Sequence, residues 1–253
     1  MRQFLLPILL LSASCASTPP PAQPSLSWAA RLRLVEAMPA QTQAEAELAV
    51  LRQAAREAPR DAALLGRLAR AAEQAGQPAE ALAALEQIST LEGGGAARDL
   101  EQDLARGRLA LQVGQGARAV TAYEAVLQRQ PGRVEALTGL GVAMDLQPDP
   151  AAAEPWHRAA LAAAPEDWGV RSNAALSRLL AGRPGEAVAL LAAAEQDRAA
   201  PRRVRHNLAL ALAADRQPDR ATALLRQDMP EEEARRISSA FTQFATWLAE
   251  RSR

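Results

Sequence analysis

The side chains able to act as nucleophiles, metal ligands or proton carriers are few in this chain. It contains one cysteine, Cys15, and two histidines, His157 and His206. Neither histidine has a cysteine or carboxylate at a spacing typical of metal ligands. The glycines at 93–95 are not followed by the lysine and serine or threonine of a phosphate-binding loop, and no serine stands in a nucleophile elbow. The sequence therefore predicts a protein that is not an enzyme and binds no cofactor or metal.

Composition narrows both the fold and the class of partner. The chain has 253 residues, of which 49% are hydrophobic but only 3% aromatic. Alanine and leucine supply most of the apolar residues, and both lose little conformational freedom in a helix, so we expect an all-α fold. The 29 basic residues, all arginine, balance 29 acidic ones. A chain without net charge lacks the basic surface of a general nucleic-acid binder, so no nucleic acid is expected as a partner.

Residues 1–14 have the parts of a signal peptide. A short positive start precedes an apolar run from Phe4 to Leu11, which is too short to span a bilayer. Small residues then lead directly to Cys15. This arrangement resembles a bacterial lipobox, in which the cysteine is lipidated and becomes the first residue of the mature protein, although Ser12 stands where leucine is usual. The alternative is an ordinary secretory signal.

The residues that follow the cysteine predict a tether and a location. Residues 15–27 are rich in proline, and such a stretch is extended and cannot form a core. It would connect a lipid anchor to a folded body. The residue after the cysteine is Ala16 rather than aspartate. By resemblance to the enterobacterial sorting rule, this implies lipid anchoring at the periplasmic face of the outer membrane.

Turn signals recur through the rest of the chain, first after 38 residues and then at a constant spacing of 34. The units defined by these turns begin at Ala62, Leu100, Val134, Trp168 and Arg202. In each unit the eighth residue is small, the twentieth is alanine and the twenty-fourth is usually bulky, which allows two antiparallel helices to cross closely. His157 takes the twenty-fourth position, so we expect it to be buried or half-buried. The pattern resembles the tetratricopeptide repeat, whose period is 34 residues.

The resemblance predicts a solenoid of about five to six helix pairs. Residues 28–61 form a degenerate first repeat, 62–229 the regular repeats, and 230–253 a C-terminal helix. Ile237, Phe241, Phe244 and Leu248 recur there at helical spacing. Because the last apolar face of a solenoid needs a lid, we expect this helix to act as a cap. The alternative is an aromatic stripe that binds a partner.

The concave side of such a solenoid is formed by the first helix of each pair. By resemblance, positions two, five, nine, twelve and thirteen of the unit face inward, and they predict a partner-binding groove formed by Leu176, Leu179, Leu180, Arg203, His206 and Leu210. An apolar trough with basic residues beside it suits an amphipathic helix or an extended peptide, and the arginines suit an acidic contact. The alternatives are leucines that pack against neighbouring helices and a basic run that is only a solvated helix start.

Several segments resemble a narrower family. They are ALTGLGVAMDL at 136–146, VRSNAALS at 170–177, LAGR at 180–183, RVRHNLAL at 203–210 and LLRQD at 224–228. Together they resemble the TadD family, the tetratricopeptide lipoproteins of Flp (tight-adherence) pilus assembly, with Ala174 in place of the usual leucine and a proline-rich turn at 148–150 in place of a glycine turn.

The family resemblance implies a protein partner, the outer-membrane secretin of the pilus, whose localisation or assembly the chain would assist, and no small-molecule substrate. Two alternatives remain open. One is another outer-membrane adaptor, either a type IV pilus pilotin or an assembly factor for outer-membrane proteins. The other is a regulatory subunit of an exported enzyme.

Overall fold

The computed structural model describes residues 26–38, 40–91, 99–197 and 199–251. These residues form thirteen α-helices and no strand, which confirms the all-α prediction. The helices are α1 Trp28–Glu36, α2 Ala40–Glu57, α3 Ala62–Gln74, α4 Pro78–Leu91, α5 Leu100–Gln112, α6 Gly116–Arg129, α7 Val134–Asp145, α8 Glu154–Ala163, α9 Trp168–Leu180, α10 Pro184–Leu191, α11 Arg202–Ala214, α12 Pro218–Leu225 and α13 Glu231–Arg251. The predicted signal peptide, Cys15 and nearly all of the predicted tether lie outside the described residues.

Each helix packs against the next in the chain, and the first helices of successive pairs also touch. Thus α5 contacts α7, α7 contacts α9, and α9 contacts α11. All five alanines at the twentieth position of the unit are completely buried: Ala81, Ala119, Ala153, Ala187 and Ala221. Their methyl groups occupy the crossings, where a larger side chain would force the helices apart.

The turns inside the pairs explain the 34-residue spacing. Gly76, Gly114 and Gly182 end α3, α5 and α9 with φ angles of 68°, 73° and 71°. This left-handed conformation is easy for glycine and ends a helix in a tight cap. The fifth unit places Arg216 there instead, with φ of 61°. Pro78, Pro184 and Pro218 then begin the second helices, where the missing N–H has no partner to lose.

Aspartates start several of the first helices. Asp61 accepts a hydrogen bond from the Leu64 amide at 3.0 Å, and Asp167 accepts one from the Val170 amide at 3.0 Å. Each carboxylate satisfies an amide that has no partner inside the helix, and its negative charge complements the helix dipole. These caps fix where α3 and α9 begin.

The apolar core is divided along the stack. One cluster extends from α1 to α7 and another from α9 to α13, while Leu137, Ala160 and Val170 form a small cluster between them. Polar groups bridge this same junction, because Asp145 on α7 contacts both His157 on α8 and Ser177 on α9. The molecule therefore changes from a mainly apolar to a partly polar core at its middle.

The long helix α13 packs on α11 and α12. Ala234 is fully buried, and Ile237 and Phe241 are partly buried against the C-terminal cluster. Further along, Phe244 and Trp247 stack with their ring centroids 5.8 Å apart and are both nearly half exposed. The first half of α13 thus covers the end of the stack, and the second half presents two aromatic rings to solvent.

Candidate protein-binding groove

The structure distributes the predicted groove residues over different environments. Leu179 is only 7% exposed and belongs to the C-terminal core cluster. Leu176 and Leu210 are half-buried against the same cluster, whereas Leu180 is 41% exposed. Three of the four predicted leucines therefore pack wholly or partly against the core, and Leu180 is open to solvent.

Residues on α9 and α11 face one another across the predicted groove. Arg203 is exposed, and its guanidinium lies 3.6 Å from the position that a Cβ would take at Gly169 on α9. Asn207 donates a hydrogen bond to the Ser172 hydroxyl at 2.6 Å. The first helices are thus adjacent here, and Arg203 borders the concave surface.

Arg205 and His206, two other residues of the basic run at 202–206, lie beside an acidic residue of the chain itself. Arg205 forms two bonds to Asp228, from Nε at 3.0 Å and from Nη2 at 2.5 Å. His206 is half-buried with Nε2 3.8 Å from the same carboxylate, and burial together with the nearby charge of Arg202 lowers the pKa of His206. Arg205 therefore stabilises the fold, and the groove-facing cation on this helix is Arg203.

A second concavity lies on earlier units, along α5, α7 and α9. It has a volume of about 760 Å³, within the range of pockets that enclose ligands. Its apolar lining comes from Leu104, Ala105, Leu111, Val134, Val142, Ala164 and Val170. Leu104 and Leu111 of the second unit and Val142 of the third stand at the inward positions of the repeat, so the register contains part of the signal. The groove predicted from the leucines of the fourth unit lies further along the stack, on α9 and α11.

Tyr123 forms part of the groove floor, although it belongs to a second helix, α6. Its ring is inserted between Gly107 on α5 and Gly139 on α7, so that a Cβ at Gly107 would lie 2.6 Å from the ring and one at Gly139 would overlap it. Burial raises the pKa of Tyr123 to about 12, against the opposing effect of the Arg108 charge. The phenol is therefore neutral and offers the groove a flat, largely apolar surface.

Charged residues surround the apolar floor and are mostly paired with each other. Arg133 lies 2.9 Å from Glu101 and 2.8 Å from Glu135. Arg108 is paired with Glu73 on α3. Because both arginines are already neutralised while Glu101 and Glu135 are mostly exposed, the rim presents more open carboxylate than open guanidinium.

Comparison with known families fits this geometry. Residues 104–167, which include most of α5 and all of α6 to α8, match the family model of the tetratricopeptide repeat. The fold is a tetratricopeptide repeat solenoid. The prediction made from the 34-residue period is thereby confirmed. No curated protein matches the sequence of this chain significantly.

Solved structures share this tetratricopeptide fold at low sequence identity. A thermophilic tetratricopeptide repeat protein of Thermus thermophilus superposes with a TM-score of 0.56 and 18% identity, over 71% of this chain and 98% of its own. MamA of Desulfovibrio magneticus gives 0.52 and 17%, over 64% and 92%. YrrB, described as a tetratricopeptide repeat protein with an unusual peptide-binding site, gives 0.51 and 16%, over 76% and 97%. At these identities the likeness shows the fold alone.

Metal sites and membrane-spanning helices are two other features that could indicate a function. Within the described residues, no group of three or more histidines, cysteines, aspartates or glutamates is arranged to hold a metal ion. No helix in the same ranges combines the length and the apolar character needed to cross a membrane.

Proposed function

We propose that this chain is a protein-binding scaffold, anchored by lipid at the periplasmic face of the outer membrane, that assists assembly of a Flp/Tad pilus. The observation that supports binding is the groove along α5, α7 and α9, with its apolar lining and its neutral Tyr123 floor. Tetratricopeptide repeats commonly present extended concave surfaces to partners. A short peptide segment of a partner protein would occupy this concavity.

The proposed partner is the pilus secretin, on the basis of the TadD-like segments. Its bound segment would lie over the groove and continue past Arg203 toward Leu180 and Leu210, with Leu176, Leu179 and His206 beneath or beside it. This path is supported by Arg203 on α11, which lies beside Gly169, a residue that lines the concavity. YrrB, of the same fold, is described as binding a peptide.

Binding is tested by purifying the secretin together with the full-length protein from envelopes of the native bacterium. Val142→Glu places a charge in the groove lining. Leu180→Glu and Leu210→Glu place one at two residues of the sequence-predicted groove, on α9 and α11. We expect Val142→Glu to lower the amount of secretin recovered at least fivefold while the melting temperature changes little. Leu34→Glu, at an exposed position of α1 away from the groove, serves as the matched control and should bind normally. Normal recovery with all three folded groove variants would contradict the proposal.

The lipid anchor is tested separately. Cys15→Ser removes the thiol that would carry the lipid, so the precursor should no longer incorporate labelled palmitate and should not be recovered with outer membranes. A variant that still incorporates palmitate and fractionates with outer membranes would show that Cys15 is not the anchor. This experiment does not depend on which partner the groove binds.

A further inference from the structure

We infer that the groove selects a short apolar segment flanked by basic side chains and discriminates against one flanked by acidic side chains. This inference rests on the proposed function and narrows it to a class of ligand. It concerns the groove along α5, α7 and α9, whereas the acidic contact predicted from sequence concerned Arg203 at its far border. Three features of the groove support the inference: its shape, its charge and the side-chain amide of Asn173.

Shape limits the ligand to a few side chains. The concavity of about 760 Å³ is open to solvent on one side and is lined by Leu104, Leu111 and Val142 on the helices that form its walls. The Tyr123 ring closes the floor between Gly107 and Gly139. Burying an apolar side chain here is favourable by about 25 cal/mol per Å² of apolar surface removed from water. Such a site accommodates the apolar residues of an extended segment.

The charged groups of the groove determine which side chains are favourable beside the apolar residues of the ligand. The lining includes three carboxylates, of Glu101, Glu135 and Asp167, against two guanidiniums, of Arg108 and Arg133. The Asp167 carboxylate already accepts the Gly169 amide at 2.6 Å, so it acts mainly as a helix cap. Glu101 and Glu135 are 68% and 64% exposed and share a single arginine. Each therefore has surface open to a second cation.

The arginines of the groove cannot equally attract an acidic flank. An acidic side chain would have to displace Glu101 or Glu135 from Arg133, or Glu73 from Arg108, and it would lie close to the displaced carboxylate. Like charges in contact raise the free energy of the complex, whereas a basic flank adds a third charge to an existing pair. Because Arg133 and Arg108 are already paired with carboxylates, the groove favours a basic flank over an acidic one.

One amide is available for the main chain of the ligand. Asn173 on α9 lines the groove and is half-buried, and its side chain makes no hydrogen bond within the described part of the chain. Asn207 has the same position in the next unit but donates to Ser172. Because an amide both donates and accepts, Asn173 can pair with an extended peptide backbone whatever its side chains are.

The test uses the full-length protein and three fluorescent peptides that share an apolar core of Leu-Ala-Val-Leu. The core is flanked by two arginines, two glutamines or two glutamates. We expect the arginine peptide to bind at least tenfold more tightly than the glutamate peptide at low salt, with the glutamine peptide between them. The difference should shrink in 0.5 M salt, since exposed charges are screened over about 3 Å at 1 M and about 10 Å at 0.1 M.

Variants connect the preference to the named carboxylates. Glu101→Gln combined with Glu135→Gln leaves Arg133 without its partners, so the order of the arginine and glutamate peptides should invert. Glu124→Gln changes an exposed carboxylate on α6 outside the groove, and the order should stay as in the unchanged protein. Equal binding of the three peptides, or tighter binding of the glutamate peptide, overturns the inference and leaves the proposed scaffold function intact. If no peptide binds, the inference fails together with the groove as a peptide site.

Discussion

Two flat rings, Tyr123 and His157, occupy the position that leucine takes in three of the five units. Each ring faces a glycine at the eighth position, Gly107 or Gly141, and a Cβ at either glycine would come within 2.7 Å of the ring. The units with leucine have alanine there instead. The type of small residue thus follows the shape of the side chain it faces, a correlation that the sequence contains and that only the contact explains.

The closest of these contacts gives a prediction for Gly139, on the other side of the Tyr123 ring. Gly139→Ala would place a methyl group inside the ring, so overpacking should lower the free energy of unfolding by about 2–3 kcal/mol. Most of this cost should disappear when Tyr123 is also changed to leucine. Urea unfolding of the two single variants and the double variant measures the coupling.

Gly66→Ala is the matched control, because its added methyl group would lie 3.9 Å from Ile88 within the helical part of α3. Alanine favours helix over glycine, so this change should raise the stability by about 0.5–1 kcal/mol. Equal effects of the two substitutions would show that the Tyr123 ring is not held between its glycines.

The first helix of several pairs ends at a glycine in the left-handed conformation, and one pair departs from this pattern. Arg216 adopts the left-handed conformation that glycine has at Gly76, Gly114 and Gly182. For a residue with a Cβ this conformation costs about 1–2 kcal/mol. Arg216→Gly should therefore raise the stability by about 1 kcal/mol, and the melting temperature should rise. Gly182→Ala should do the opposite by a similar amount, since nothing crowds its Cβ and only the backbone is strained. A loss of stability in Arg216→Gly would show that the exposed arginine side chain contributes more than its backbone costs.

The last helix is connected to the stack by an ion pair whose pH dependence can be stated. A hydrogen bond from Arg205 lowers the pKa of Asp228, in the segment before α13, below its ordinary value of 3.8. A lowered carboxyl pKa means that the pair stabilises the fold above pH 3.8 and that this contribution is lost as the pH falls through the folded value. We therefore expect urea stability to fall steeply below about pH 4.

Asp228→Asn isolates this contribution. At pH 7 the variant should lose about 2–3 kcal/mol, a typical value for hydrogen bonds to a charged group, and its stability should depend less on pH below about pH 4. Asp219→Asn, at an exposed position in the first turn of α12, is the control and should retain the full acid dependence. An unchanged acid dependence in Asp228→Asn would mean that other carboxylates cause the loss.

At the scale of the whole molecule, the repeat predicted the stack and part of the groove lining, but not the charge pairs. Periodic positions such as Ala119 and Ala187 make equivalent contacts in every unit, so one unit predicts the next. The charge pairs are not periodic: Arg133, just before α7, meets Glu101 at the start of α5, and Arg205 meets Asp228 beyond the end of its own helix pair. Such partners depend on how the stack curves and where the chain turns, which spacing alone does not determine. In the basic run at 202–206, Arg202 and Arg203 are exposed, whereas Arg205 and His206 are partly buried beside Asp228.

The division of the apolar core at the middle of the stack gives a final prediction. Across this junction the Asp145 carboxylate accepts the Ser177 hydroxyl at 2.7 Å and lies 2.8 Å from His157 Nε2. His157 is 1% exposed, so the expectation that it is buried is confirmed. Because a repeat protein transmits stability only through contacts between neighbours, this network couples the two halves of the molecule.

Asp145→Ala should leave two buried polar groups without an acceptor and should lower the stability by about 2–4 kcal/mol. Hydrogen exchange should then show the amides of α9 to α12 opening separately from those of α3 to α6. Asp149→Ala, which removes only an exposed cap of the Ala151 amide nearby, should leave the halves coupled.

Combining Asp145→Ala with His157→Leu and Ser177→Ala makes the site apolar, with leucine at the position that it takes in other units. This triple variant should regain most of the stability that Asp145→Ala loses. If the halves still open together in the single variant, the small cluster of Leu137, Ala160 and Val170 is sufficient to couple them, and the polar network is not needed for a cooperative stack.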